Sequence, residues 1–360
     1  MTPRNRFLAC LLRQPSDRPA VGNAVSIATQ ELMHATGCFF PQAHLDAETM
    51  AGLAAAGHEI LGYDTLAPVT SVTQESAALG CEVNWGHPGQ MPVVRGRLCR
   101  TPEDIHVPPD FLQHPACAVV LDALKLLRAR YPDVALIGKT FGPWTLAYHL
   151  FGLEPFLMLT LDAPAQVREI MQRLKDVAVI FAAAQFDAGA DAVTLGDHAT
   201  GDLVSGEMYR EFLQPVHTEL AQRIPGPVIL HICGDTADRL AAIAQTGLAC
   251  FHFDSKVPAS RAREIVGRPA PPAGPSPSAC LAACPQPASG LQSACSLMGN
   301  INNPQTLLRG TPQDVAQAVA ECLRCHIEII APECAVPLTT PTRNLQALTE
   351  ATASQDVLTA

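Results

Sequence analysis

The stretch PVILHICGDT, Pro227 to Thr236, decides how the rest of the chain is read. Residues 227–233 form an apolar run broken only by His231, the pattern of a strand covered on both faces. Gly234 ends the run, and Asp235 or Thr236 can cap a helix after it. Similar runs recur at 18–22, 60–69, 134–138, 190–195, 248–253, 327–332 and, more weakly, 296–299. Helical patterns lie between them. Beyond Asp162, the residues Val167, Ile170, Met171, Leu174, Val177 and Phe181 repeat at helical spacing and make one apolar stripe. Thr2-Pro3 opens an N-terminal helix that closes before Pro15, and Thr311-Pro312-Gln313-Asp314 is a helix start with proline at the first position. Eight strands alternating with helices predict a (β/α)8 barrel, one domain over residues 1–360. A doubly wound open sheet fits less well, because no glycine-rich fingerprint follows the first strand.

One segment stands outside this alternation. Residues 268–297 are rich in Pro, Ala, Ser and Cys without periodicity, and read as a disordered insertion before the seventh strand. It carries Cys280, Cys284 and Cys295, which read more readily as inert residues than as a second metal or redox site.

Composition narrows the function. Of 360 residues, 48% are hydrophobic and 16% charged, enough to bury a large core, so disorder of the whole chain is excluded. A formal net charge of −10, with no Lys/Arg block, argues against a nucleic-acid partner. No stretch approaches the roughly 18 consecutive apolar residues of a membrane span, and the opening MTPRNRFLACLL lacks a cleavage site after its short apolar run. A soluble, cytoplasmic protein is expected. Thirteen irregularly spaced cysteines in a chain this long suit a reducing compartment better than a disulfide framework.

The chemistry-bearing candidate is the pair His231 and Cys233. Two residues apart on a strand, they face the same way, at the strand end where barrels place active sites. A His-x-Cys pair by itself reads as well as buried structural residues. A third soft ligand, Cys334 in PECAVP just past the eighth strand, favours a metal, because barrel closure brings both strand ends to one rim. One His and two Cys leave a fourth position open, as in catalytic rather than structural zinc sites. Thiolate-rich zinc suits activation of a substrate thiol, hence alkyl transfer to sulfur. Cys322 and Cys325 make a C-x-x-C inside the Thr311 helix, but no second pair completes a site.

With those residues in view, the chain resembles the methylcobalamin:coenzyme M methyltransferases, a branch of the uroporphyrinogen decarboxylase superfamily. The matching pieces are TPRNRFLACL, DRPAV, VTSVTQESAALGCEVNWG (69–86), GPWTLAYHLFG (142–152), ATGDLVSGEMYREFLQPVH (199–217), LHICGDT (230–236), MGNINNPQTLLRGTPQDV (298–315) and APECAVPLTTPTRNLQAL (331–348). The resemblance implies a (β/α)8 barrel with zinc on His231, Cys233 and Cys334. It also implies methyl transfer from a methylated corrinoid such as methylcobalamin, usually carried on a small corrinoid protein, to a zinc-bound thiol. The family does not have the 268–297 segment. Glu75 matches an acidic position of the family and is expected to fill the fourth zinc position or bond a ligand, with a surface acid as the alternative. Asp197, beside His198, is expected to orient His231 or to cap a helix. Asn300 and Asn302, with Asn303, follow the seventh strand and are candidates for polar substrate groups, or plain turn residues; Asp254 after the sixth is a similar case.

Two other functions compete. Uroporphyrinogen decarboxylation, a metal-free reaction, uses an arginine-rich stretch after the first strand, and residues 21–30 here contain no arginine. A non-catalytic corrinoid- or metal-binding partner would instead have a closed four-ligand site or no metal. The acceptor thiol, coenzyme M or homocysteine, is not legible in the residues.

Overall fold

The computed structural model describes residues 1–68, 71, 73–267 and 295–354. Eight parallel strands form the barrel: β1 (Ala20–Val21), β2 (Thr65–Leu66), β3 (Ala135–Phe141), β4 (Ala192–Gly196), β5 (Val228–Ile232), β6 (Cys250–Phe253), β7 (Ser296–Ile301) and β8 (Ile329–Pro332). Each lies within or at the edge of a run read from the sequence. They pair in the order β1-β8-β7-β6-β5-β4-β3-β2. The seam between β1 and β2 is spanned by the Asp64 N–H, which donates to the Val21 carbonyl at 2.8 Å. The sheet is therefore a nearly closed (β/α)8 barrel.

Alternation divides each strand into an inner and an outer set. Ala135, Ile137, Ala192, Ile229, Cys250, Met298, Ile329 and Ala331 fill the interior in one buried cluster. Phe7, Cys10 and Leu11 of the helix Pro3–Leu11 join that cluster and close the barrel at the N-terminal ends of its strands. Thr2 caps this helix by accepting from the Asn5 N–H. The outer set packs on the helices. In Pro164–Asp187 all six residues of the apolar stripe are buried, each contributing about 1.5–3 kcal/mol by leaving water. Thr311 and Asp314 form a reciprocal capping box on Pro312–Arg324.

Some local expectations are corrected. Neither Asp235 nor Thr236 caps the helix after β5: that helix is Leu240–Ala244 and starts behind Arg239 without a side-chain cap. Asp235 instead accepts from the Ala237 N–H in a turn. Cys325 is the residue after Pro312–Arg324 rather than inside it. Cys295 enters β7 as a buried residue, whereas Cys280 and Cys284 lie outside the described residues. A short hairpin, Glu82–Asn84 with Val93–Arg95, was not legible from the sequence. No helix of the described residues is long and apolar enough to cross a membrane.

Candidate metal centre

On β5 the inward alternation continues from Ile229 to His231 and then to Cys233 just beyond the strand. Gly234 follows with φ +82°, and a Cβ there would sit 2.2 Å from the Thr200 hydroxyl, so only glycine lets the chain turn here. Its N–H donates to Asp254 Oδ2 at 2.9 Å. Cys334 comes from the loop after β8. The neighbouring Glu333 steadies that loop, accepting from the Asn303 N–H (2.8 Å) and the Ser255 N–H (3.1 Å).

These two loops bring three donor atoms together. His231 Nε2 lies 3.1 Å from Cys233 Sγ and 3.4 Å from Cys334 Sγ, and the sulfurs are 3.3 Å apart. That is far longer than the roughly 2.05 Å of a disulfide. Among the described residues this is the one group of three or more His, Cys, Asp or Glu side chains close enough to share an ion.

The tautomer of His231 follows from its other nitrogen. Nδ1 lies 3.2 Å from the His252 carbonyl, an acceptor only, so Nδ1 carries the proton and Nε2 presents a lone pair to the sulfurs. The His252 ring lies against that of His231, with centroids 4.5 Å apart and a tilt of 33°, and His252 donates from Nε2 to the Pro332 carbonyl at 2.7 Å. Burial pulls its pKa down to about 3, so it stays neutral beside the site. The hydrogen bond between the two sulfurs lowers the pKa of Cys334 and raises that of Cys233.

This donor set fits a zinc ion. Tetrahedral zinc with bonds of about 2.0 Å to N and 2.3 Å to S separates its donors by roughly 3.5–3.8 Å. The triangle here is a few tenths of an ångström tighter, and both sulfurs reach it from loops rather than strand interiors. The open face of the triangle looks into a cavity of about 320 Å³ at the C-terminal mouth of the barrel.

The remaining candidates fare differently. Glu75 is not a surface acid: it is 1% exposed, accepts from the Phe141 N–H at 2.9 Å, and burial raises its pKa. It is not part of the three-residue group. Asp197 does not orient His231. Its Oδ1 accepts from the Thr145 N–H and hydroxyl, and its Oδ2 from His217 Nε2 at 3.0 Å, so its side chain is consumed in the wall. The orienting group is the His252 carbonyl instead. Asn300 donates to the Val257 carbonyl and receives the Cys322 thiol, facing away from the cavity. Asn302 accepts from the Gln305 N–H and donates to Ser255. Both are consumed in loop structure, because the chain leaving β7 turns toward the β6 loop. Asn303 donates to the Ala335 carbonyl. Cys325 donates to Glu321, apart from Cys322.

Two cavity residues were not singled out from the sequence as site residues. Lys139 and Thr194 face each other in register on β3 and β4 and line the cavity. The available signal was a lysine at the inner position of ALIGKTF, two residues after Ile137. His198, named only with Asp197, also lines the cavity, and burial lowers its pKa.

Comparison with known proteins supplies the context. The uroporphyrinogen decarboxylase (URO-D) family model matches residues 2–355. A methylated-thiol–coenzyme M methyltransferase of Methanosarcina mazei is 32% identical over 353 residues, covering 98% of this chain and 89% of the relative. A methylcobamide:CoM methyltransferase of Methanosarcina barkeri is 29% identical over 354 residues, covering 97% of each. Among solved structures, a methyltransferase from Methanosarcina mazei superposes with a TM-score of 0.89 at 29% identity over the full length of both chains.

Proposed function

The chain belongs to the uroporphyrinogen decarboxylase family, within it to the methylcobamide:CoM methyltransferases, and from that membership we propose a zinc-dependent transfer of a methyl group from a methylated corrinoid to a small thiol. The observation that carries this reading is the meeting of His231 Nε2 with the Cys233 and Cys334 sulfurs at the barrel mouth. These three residues would hold the metal. Bound there, zinc would lower the pKa of an acceptor thiol while leaving its thiolate nucleophilic.

The protein's own part is positional. The His252 carbonyl keeps His231 in the tautomer that offers Nε2. The Gly234 turn and the Glu333 hydrogen bonds hold the two cysteine loops at one spacing. Val25, Met91, Phe141 and Ala335 make the cavity wall largely apolar, which excludes water from the thiolate. A volume of about 320 Å³ suits a thiol of a few heavy atoms, coenzyme M or homocysteine. A corrin ring is too large for it, so the methyl group has to arrive at the mouth, past Met91 and Pro92 of the hairpin, from methylcobalamin or a small corrinoid protein. The thiol site requires reduced cysteines, consistent with a cytoplasmic location. We also read the chain as a single barrel domain, with the insertion seen in the sequence ending before β7, which begins at Ser296.

Decarboxylation of a polycarboxylate is disfavoured by the same cavity, since no arginine is among its described lining residues. A purely structural metal is disfavoured by the open face of the triangle. The deciding measurement is the metal content of the purified protein and of Cys233→Ala, followed by demethylation of free methylcobalamin with a panel of thiols. About one zinc per chain, lost in the variant along with thiol methylation, is expected. A wild-type protein without metal would overturn the reading.

A further inference from the structure

The inner face of β3 is apolar until it reaches the cavity. Ala135 and Ile137 sit in the barrel core, and the next inward residue is Lys139, 6% exposed. Carrying an ammonium into a barrel interior is costly unless a negative charge meets it there. Lys139 is the only lysine or arginine among the described residues lining the cavity that also contains His231, Cys233 and Cys334. Its Nζ lies 5.0 Å from the centre of the Phe141 ring, which steers the ammonium along the cavity wall. Burial pulls its pKa down to about 8, against the opposing pull of Cys334, Glu75 and Cys233.

Beside it stands a second polar group. Thr194, its register partner on β4, is fully buried and lines the same cavity, and its hydroxyl has no hydrogen-bond partner among the described residues. Buried hydroxyls are rarely left so. An ammonium and an unsatisfied hydroxyl side by side, in a cavity that also holds the two cysteine sulfurs, describe a receptor for a small anion.

Charge counting says which anion. A zinc dication with two cysteine thiolates and a neutral imidazole is neutral overall. An acceptor thiolate then adds one negative charge to a poorly hydrated cavity. We propose that Lys139, assisted by the Thr194 hydroxyl, is the positioning residue that balances the charge of the acceptor sulfur and so sets how tightly the thiolate is held before methyl transfer. This rests on the zinc-thiol reading above. The charge is met at the sulfur, not at the tail of the thiol, so a thiol with an uncharged tail depends on Lys139 as much as one with an anionic tail.

The test uses the full chain with cobalt(II) in place of zinc, because sulfur-to-cobalt absorption reports thiolate binding without turnover. Affinities for 2-mercaptoethanol and for 3-mercaptopropionate are titrated in wild type, Lys139→Met, Lys139→Arg and Thr194→Val. Lys139→Met is expected to keep its metal and to bind both thiols about 10- to 100-fold more weakly. Lys139→Arg should recover most of that loss, and Thr194→Val should show a smaller one. Unchanged affinity for 2-mercaptoethanol in Lys139→Met overturns the proposal, and a loss confined to 3-mercaptopropionate does so too, by placing the charge at the tail. If Lys139→Met does not fold, the Arg and Val variants decide: Lys139→Arg no tighter than Thr194→Val would overturn it. A wild-type protein that takes up cobalt but shows no thiol-dependent band overturns the zinc-thiol reading itself, an outcome distinct from a failure of Lys139.

Discussion

The two ends of the barrel bury polar groups in opposite ways. At the N-terminal ends of the strands, Asp64, Asp191 and Glu328 each meet arginine. Asp64 takes Arg6 at 2.7 Å and Arg18 at 2.9 Å, Asp191 takes Arg128 at 2.6 Å and Arg4 at 2.8 Å, and Glu328 takes Arg263 at 2.6 Å. Each also accepts a backbone N–H from another strand or its edge: Val21, Leu136 and Leu297 respectively, all at 2.9 Å. At the C-terminal ends, donor atoms converge on one another instead: one imidazole nitrogen and two sulfurs at 3.1–3.4 Å. The first arrangement sets opposite charges against each other within the fold, and the second gathers three donors close enough to share an ion. The comparison teaches where this fold keeps its stability and where it keeps its reactivity.

Three substitutions press on that contrast. The largest effect is expected from Cys334→Ser at the mouth. It should remove the metal and lower methyl transfer by about 1,000-fold or more, since the triangle loses a soft ligand, while urea denaturation of the metal-free proteins stays the same. Metal analysis and a thiol methylation assay check it; full metal and full rate in the variant would refute the assignment of Cys334.

Asp64→Ala should do the reverse at the other end. Two guanidiniums and the Val21 N–H lose their acceptor, so stability to denaturant should fall by about 3 kcal/mol, with metal content per folded chain unchanged. A variant that kept its stability but lost metal would erase the distinction between the two ends.

The smallest effect concerns pH. His149, in the helix Pro143–Phe151 after β3, holds Ser76 Oγ at 2.7 Å from its Nδ1, and burial pulls its pKa down to about 4. As pH falls below the ordinary histidine value of about 6.5, the unfolded chain takes up a proton that the folded one refuses. Stability is therefore lost between about pH 6.5 and 4 and is regained above. The cost from pH 7 to pH 5 is about 1.8 kcal/mol, read from the stabilities to denaturant at the two pH values, and His149→Gln should lack that part of the slope. An identical slope in both proteins would show that this imidazole is protonated in the folded state.

Much of this molecule can be read from its residues in order. Apolar runs such as 227–233 announce strands because a residue's face depends only on its neighbours two positions away. The stripe from Val167 to Phe181 and the Thr311 capping box are equally local. The same logic placed His231 and Cys233 on one face. It failed where the outcome depended on distant partners. Glu75 looked like a possible surface acid until the end of β3 covered it, and Asp197 looked available until Thr145 and His217 took both its oxygens.

What the sequence by itself determined was therefore the number and kind of elements, and the pairing of one imidazole with one thiol. The sequence could offer Cys334, 103 residues from His231, only by way of barrel closure; the tertiary structure decided that its sulfur lies 3.4 Å from His231 Nε2, that the His252 carbonyl rather than Asp197 orients the imidazole, and that Lys139 shares the cavity. The physical reason is that periodicity and capping are settled within a few residues along the chain. Convergence at the mouth is settled by the register and closure of the eight strands, which bring together loops that no local pattern connects.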